Sequence, residues 1–229
     1  MLKKLLAAIG VTTPPAEPAP PPGLHHPYAE SHVNFFYNLL FCDELDLFTK
    51  SLEDSGSGPW PALLADAPDE SALLKLASDP NNEGRVRALA YLRLRAMGAE
   101  VPTKTLLGVI VEVPLADGLD VLAAFSDGGV RYLNQSGKIA VVEANDTPVA
   151  VIAQELIEVS RPIVEQIGPW EEQRLPPPKA GNVRITFLVS DGLYFGEGSF
   201  AVLQADDMAG PILAKAAQLL QAVVNPLVE

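Results

Sequence analysis

The apolar residues of this chain change their spacing at Pro102, and that change dictates helices before it and a sheet after it. Before Pro102, Val33, Phe36, Tyr37, Leu40 and Phe41 recur at the helical period, as on a helix buried along one side. After it, Val183, Ile185, Phe187 and Val189 alternate with Arg184, Thr186 and Ser190, the period of a strand. One face of that strand is expected to be core and the other wetter. The fold class is therefore α+β, with a helical region over residues 27–101 and an α+β region over residues 102–229, the two forming separate units or one compact body.

In the helical region, Ser31 is the expected cap of the first helix, and Asp43 starts a second segment carrying Leu45, Phe48 and Leu52. The Gly-Ser-Gly-Pro-Trp-Pro stretch at 56–61 stops it. Helices over 69–78 and 83–97 follow, separated by Asp79-Pro80-Asn81 and closed by Gly98. Beyond Pro102, strands are expected at 106–113, 119–125, 130–133 and 138–143, and the short turns between them favour an antiparallel meander. Asp146 or Thr147 caps a helix running to about Ile167, with Pro162 breaking or kinking it near Ser160. A stiff connector, residues 168–181, holds Trp170 and three consecutive prolines. A strand from Phe200 to Gln204 and a last helix opened by Pro211 complete the chain.

An internal repeat organises the second half. Ser126-Asp127-Gly128 matches Ser190-Asp191-Gly192, Tyr132 matches Tyr194, and the eight residues from Ile139 match the eight from Phe200. The offset falls from 64 to 61 between turn and helix, a difference a hairpin tip absorbs. Two strand-hairpin-helix repeats, 102–168 and 182–225, are thus expected, with their helices on one face of a mostly antiparallel sheet.

The first ten residues place Leu2, Leu5, Leu6 and Ile9 on one side of a helix and Lys3 and Lys4 on the other. Such a segment is a frayed terminus, a signal peptide, or an amphipathic anchor making peripheral contact with a membrane or partner through residues 1–10. Six prolines between Pro14 and Pro22 then make an extended spacer, so residues 1–26 form an amphipathic segment and a Pro-rich linker.

Composition narrows the function classes. The 229-residue chain carries a net charge of −13, a field that repels phosphate backbones and disfavours nucleic acid. No apolar run reaches the roughly 20 residues of a membrane span. Cys42 is the one cysteine, which excludes an internal disulfide and cysteine-rich zinc sites and fits a cytoplasmic location, export being the alternative if the first twenty or so residues are a signal.

No chemical signature is complete. A helix from Ser31 puts His32 and Cys42 about 15 Å apart along its axis, too far to share one ion. His25, His26 and His32 with Glu30 could still surround a metal, but they also fit a solvated histidine pair before a helix and a histidine in its first turn, so no metal site and no cofactor are assigned. Arg85, Arg87, Arg93 and Arg95 project around their helix at about 0°, 200°, 80° and 280°, an arrangement for ion pairing rather than for one anion site. Gly196-Glu197-Gly198-Ser199 precedes a strand and reads as a hairpin, not a phosphate loop. Every histidine lies before residue 33, beside the spacer, which argues against triad chemistry, and no catalytic residue is assigned.

The candidate ligand-binding residues are Asp127, Tyr132, Trp170, Asp191, Tyr194 and Glu197, carboxylates and aromatics of the two repeat turns and the connector. In a structural role, Asp-Gly makes a tight turn and each Tyr fills a half-buried strand position. The chain is expected to be a non-enzymatic acidic protein that binds a macromolecule, with a protein as partner, in the manner of an adaptor, inhibitor or immunity protein. The alternative is an enzyme or small-ligand domain using the carboxylates and aromatics of the repeat turns.

Overall fold

Ten strand residues from Leu106 to Leu115 lie at the centre of everything the chain builds. In the computed structural model, which describes residues 23–51, 58–143 and 147–225, this strand β1 pairs antiparallel on one side with β2 (Gly118–Phe125) and on the other with β5 (Asn182–Val189). β3 (Val130–Leu133) and β4 (Ile139–Val142) extend one flank, and β6 (Gly192–Ser199) closes the other, giving the order β4-β3-β2-β1-β5-β6. The expected meander is present, and all five pairings are antiparallel. A register shift between Leu106 and Gly108 turns Leu107 and Gly108 toward the same face, as an extra residue in one strand does.

Both faces of the sheet are covered. On one, Val109, Val111, Leu122, Ala124, Val183, Ile185 and Phe187 pack against α6 (Pro148–Gln166) and α8 (Ala209–Val224). The two long helices of the C-terminal half thus share one face. On the other, Leu107, Ile110, Val121, Ala123, Phe125 and Leu188 join a core with α1 (Ser31–Leu39), α2 (Asp46–Ser51), α3 (Trp60–Leu63), α4 (Glu70–Ser78) and α5 (Gly84–Ala96). The described residues therefore form three layers: N-terminal helices, sheet, C-terminal helices.

Local signals explain most boundaries. Asp69 caps α4 by accepting from the Ser71 amide. Gly98, at φ 75°, ends α5 with its amide donating to Arg95 and that of Ala99 to Leu94. Thr147 caps α6 through the Ala150 amide. Ser31 does not cap α1: it is the helix's first residue, Glu30 takes the cap position without a side-chain bond, and Asn34 instead pins the preceding loop through both backbone groups of Tyr28.

Two expectations need correction, each for a physical reason. Of the break or kink expected at Pro162, the break is absent, since α6 runs through it; Glu158, Arg161 and Pro162 lie on its exposed side, so water can serve the carbonyl that proline leaves without a donor. Phe200–Gln204 is not a strand but most of helix α7 (Phe200–Ala205), capped by Ser199, whose hydroxyl accepts from Val202. The repeat alignment thus sets strand β4 against a helix. What the two stretches share is an Asp-Gly turn between neighbouring antiparallel strands. The N-terminal amphipathic segment, most of the proline spacer, Leu52 and Asp146 lie outside the described residues.

Candidate functional site

The alternation in β5 points Arg184, Thr186 and Ser190 away from α6 and α8, but not into water. All three are buried, because the N-terminal layer and the connector close over them. Glu112, directly across from Arg184 in the ladder, is fully buried beside it. The Tyr37 hydroxyl of α1 donates to Glu112 Oε1 at 2.7 Å, and Arg184 stands 3.9 Å from Oε2. Burial raises the Glu112 carboxyl above its ordinary pKa, against the opposing pull of the Tyr37 bond and of Arg184 and Arg174.

Two arginines fasten the connector to this layer. Arg184 donates to the carbonyls of Leu175 and Pro176 and pairs with Glu197 at 2.6 Å. Arg174 reaches inward: its Nε donates to Asp43 at 2.7 Å, one terminal nitrogen donates to the Gly23 carbonyl and to Asn38 Oδ1, and its guanidinium lies 3.9 Å from the centre of the Phe41 ring. The Arg174 carbonyl accepts from His25 Nε2 at 3.0 Å, which fixes that ring's tautomer.

Outside the clamp, the connector and the β5–β6 turn enclose a cleft of about 430 Å³. Trp170 forms its aromatic wall, held by its amide on the Leu193 carbonyl and by an edge contact with Phe195, ring centres 5.2 Å apart. Asp43, Glu44, Glu171, Glu172 and Asp191 line the rest with Arg95 and Arg174. Both arginines are committed, Arg95 to the Ser190 carbonyl and Arg174 to Asp43. Glu44, Glu171 and Glu172 have no ion-pair partner among the described residues, so the cleft presents net negative charge. Burial, reinforced by Asp43 and Asp46, holds the Glu44 carboxyl above its ordinary value. In the cleft wall, Asp43 Oδ1 and one terminal nitrogen of Arg174 are buried without a hydrogen-bond partner among the described residues.

The six candidate ligand residues divide among four places. Trp170 and Asp191 share the cleft, and Tyr194 donates to Asp191 at 2.9 Å from β6. Glu197 sits farther along β6, spent on Arg184 and Asn182. The turns holding Asp127 and Asp191 flank the start of β1, since Phe125 pairs beside Gly108 and Val189 beside Leu106, but their carboxylates serve different partners. Asp127 accepts from the Gly84 amide and so caps α5, whereas Asp191 accepts from Lys104 and Tyr194. Tyr132 lies on the α6–α8 face, bonded to Asp120 at 2.8 Å.

Asp43, Glu44, Glu171, Glu172 and Arg174 belong to the cleft although the candidate set omits them. The available signal was Arg174 itself, the one arginine in a proline-rich connector that needs an anchor. Comparison of the sequence with known protein families and with curated proteins finds no match to either.

Proposed function

We propose that this chain is a non-enzymatic protein-binding module whose acidic cleft receives a basic segment of a protein partner. The observation that carries the reading is the meeting of Glu44, Glu171 and Glu172, without an ion-pair partner among the described residues, with the Trp170 ring around one cleft, acids to attract a cation and an aromatic face to hold it. The overall charge of −13 steers such a partner in and would turn nucleic acid away. Adaptor, inhibitor and immunity roles all use a surface of this kind.

A second reading, a small cationic ligand in place of a peptide, draws on the raised Glu44 carboxyl in the cleft wall. Titration calorimetry of the full chain with short arginine- and lysine-containing peptides, and with free arginine and spermidine, separates the two. Peptide binding that weakens with salt and in Glu171→Lys with Glu172→Lys supports the module. Binding of the small cations alone selects the second reading, and indifference of every ligand to those substitutions removes both.

A further inference from the structure

The other face of the sheet carries a second opening, of opposite chemistry. Between α8 and the ends of β1, β2 and β3 lies a groove of about 280 Å³ walled by Val113, Leu115, Leu122, Phe200, Leu213 and Leu220. Its polar members are Tyr132 and Asp120, already bonded to each other. Phe200 is 48 % exposed and Leu115 41 %, so the rim is uncovered by any described residue. An apolar groove left open in this way calls for an occupant.

The chain carries a segment that matches it. Leu2, Leu5, Leu6 and Ile9 fall on one side of a helix, the apolar stripe a groove takes up. Charge agrees: residues 1–22 hold Lys3, Lys4 and Glu17, a net +1 that leaves −14 on the rest of the chain, and Asp120 lies in the groove wall with Asp117 in the same hairpin. Reach agrees too. Gly23 is held at the acidic cleft, which Gly192 also lines, and β6 runs from Gly192 to Ser199, next to Phe200 of the groove. At about 3.3 Å per residue that strand separates the acidic cleft from the Phe200 end of the groove by roughly 25 Å. Residues 12–22, as a proline-rich spacer at about 3.1 Å per residue, cover about 34 Å. β6 is an edge strand, so the path from one face to the other runs around that border of the sheet, past Leu193, where the Trp170 amide of the connector is bonded.

We propose that residues 2–9 dock as an amphipathic helix in this groove of their own chain, leucines inward and Lys3 and Lys4 toward the acidic rim. A short tether gives an effective concentration on the order of mM, so a weak intrinsic affinity suffices. The groove is thereby closed by a segment that a competing apolar partner or membrane surface would have to displace.

Disulfide trapping in the full chain tests this. Ala8→Cys is combined with Ala217→Cys at the groove, or with Glu172→Cys at the acidic cleft, which is nearer to Gly23 and so not limited by reach. Cys42 is buried and does not compete. At high dilution the groove pair should close within one chain at least about 10-fold faster than the cleft pair, and Leu5→Glu with Leu6→Glu should abolish that preference. Equal rates, a faster cleft pair, or disulfides formed only between two chains overturn the proposal; the last outcome would give the groove to a second copy.

Discussion

The Tyr37 hydroxyl meets the Glu112 carboxyl 2.7 Å away, where α1, β1 and the two arginines that fasten the connector, Arg174 and Arg184, converge. Tyr37 and Glu112 are each wholly buried, so the bond joins the helical layer to the sheet in the absence of water. Tyr37→Phe keeps the packing and strips that carboxylate of its hydroxyl donor. The expected loss is about 1–3 kcal/mol of unfolding free energy in urea titration. An unchanged midpoint would mean that the bond contributes nothing.

Glu112 also makes stability depend on pH. Its folded pKa is raised, so the native state holds a proton that the unfolded chain releases near the ordinary value of 4.5. The stabilisation is present below that value and is lost as pH rises through the folded pKa. Glu112→Gln cannot ionise and escapes the loss. Urea midpoints measured between pH 4 and pH 8 should therefore shift in favour of the variant as pH rises; a difference independent of pH would refute the raised pKa.

Arg174 is the part of the structure furthest from what the sequence shows. Its side chain is 5 % exposed and that of Asp43 18 %, so Arg174→Met removes the partner of a largely buried carboxylate and releases the connector. The expected cost is about 3 kcal/mol, and Asp43→Asn in the same chain should return part of it. Hydrogen exchange should speed up at the Trp170 amide, which donates to Leu193. If connector amides exchange at the wild-type rate in Arg174→Met, the bonds from Arg184 to the Leu175 and Pro176 carbonyls hold the segment without it.

The difference between what was legible and what was not follows the range of the forces involved. Alternation and short turns placed β1 to β4 within a residue or two at most boundaries, because each strand's pattern is local. The wet face assigned to β5 was wrong, since Arg184 and Ser190 become buried only when the connector and the sequence-distant N-terminal layer close over them. Phe200–Ala205 reads as a strand by its apolar residues, yet Ser199 offers a cap and Phe200 and Val202 stay exposed, so no strand partner outweighs the helix. The cleft was half visible: Trp170 and Asp191 stand out, whereas Glu44 and Glu171 look like ordinary surface acids until the connector folds back.

Gly84 opens α5, where alanine would ordinarily be the better helix former. Its backbone does not need glycine; space does. A Cβ there would come within 2.7 Å of the Leu107 carbonyl and 3.0 Å of the Ser126 amide, both rigid backbone of the sheet. Gly84→Ala should therefore lose about 1–3 kcal/mol despite its helix propensity. Gly196→Ala, which meets nothing within 4 Å, is the matched control and should stay within about 0.5 kcal/mol of wild type. Equal thermal midpoints for the two variants would show that α5 can move off the sheet at little cost.

Cys42 ends the α1 turn at φ 50°, a backbone conformation few side chains adopt, and its thiol is sealed beneath α1. Burial pushes the thiol pKa up to about 12, so at pH 8 almost none is thiolate and the reactive species is absent as well as inaccessible. A disulfide reagent added to the native chain at pH 8 should modify no more than a small fraction of Cys42 over hours, and one full equivalent within minutes once urea has unfolded it. The rate in between reports opening of the N-terminal layer, and Tyr37→Phe should raise it by the same factor by which it lowers global stability if that layer opens only on global unfolding. A larger increase would show that α1 and its neighbours detach from the sheet before the rest of the molecule unfolds.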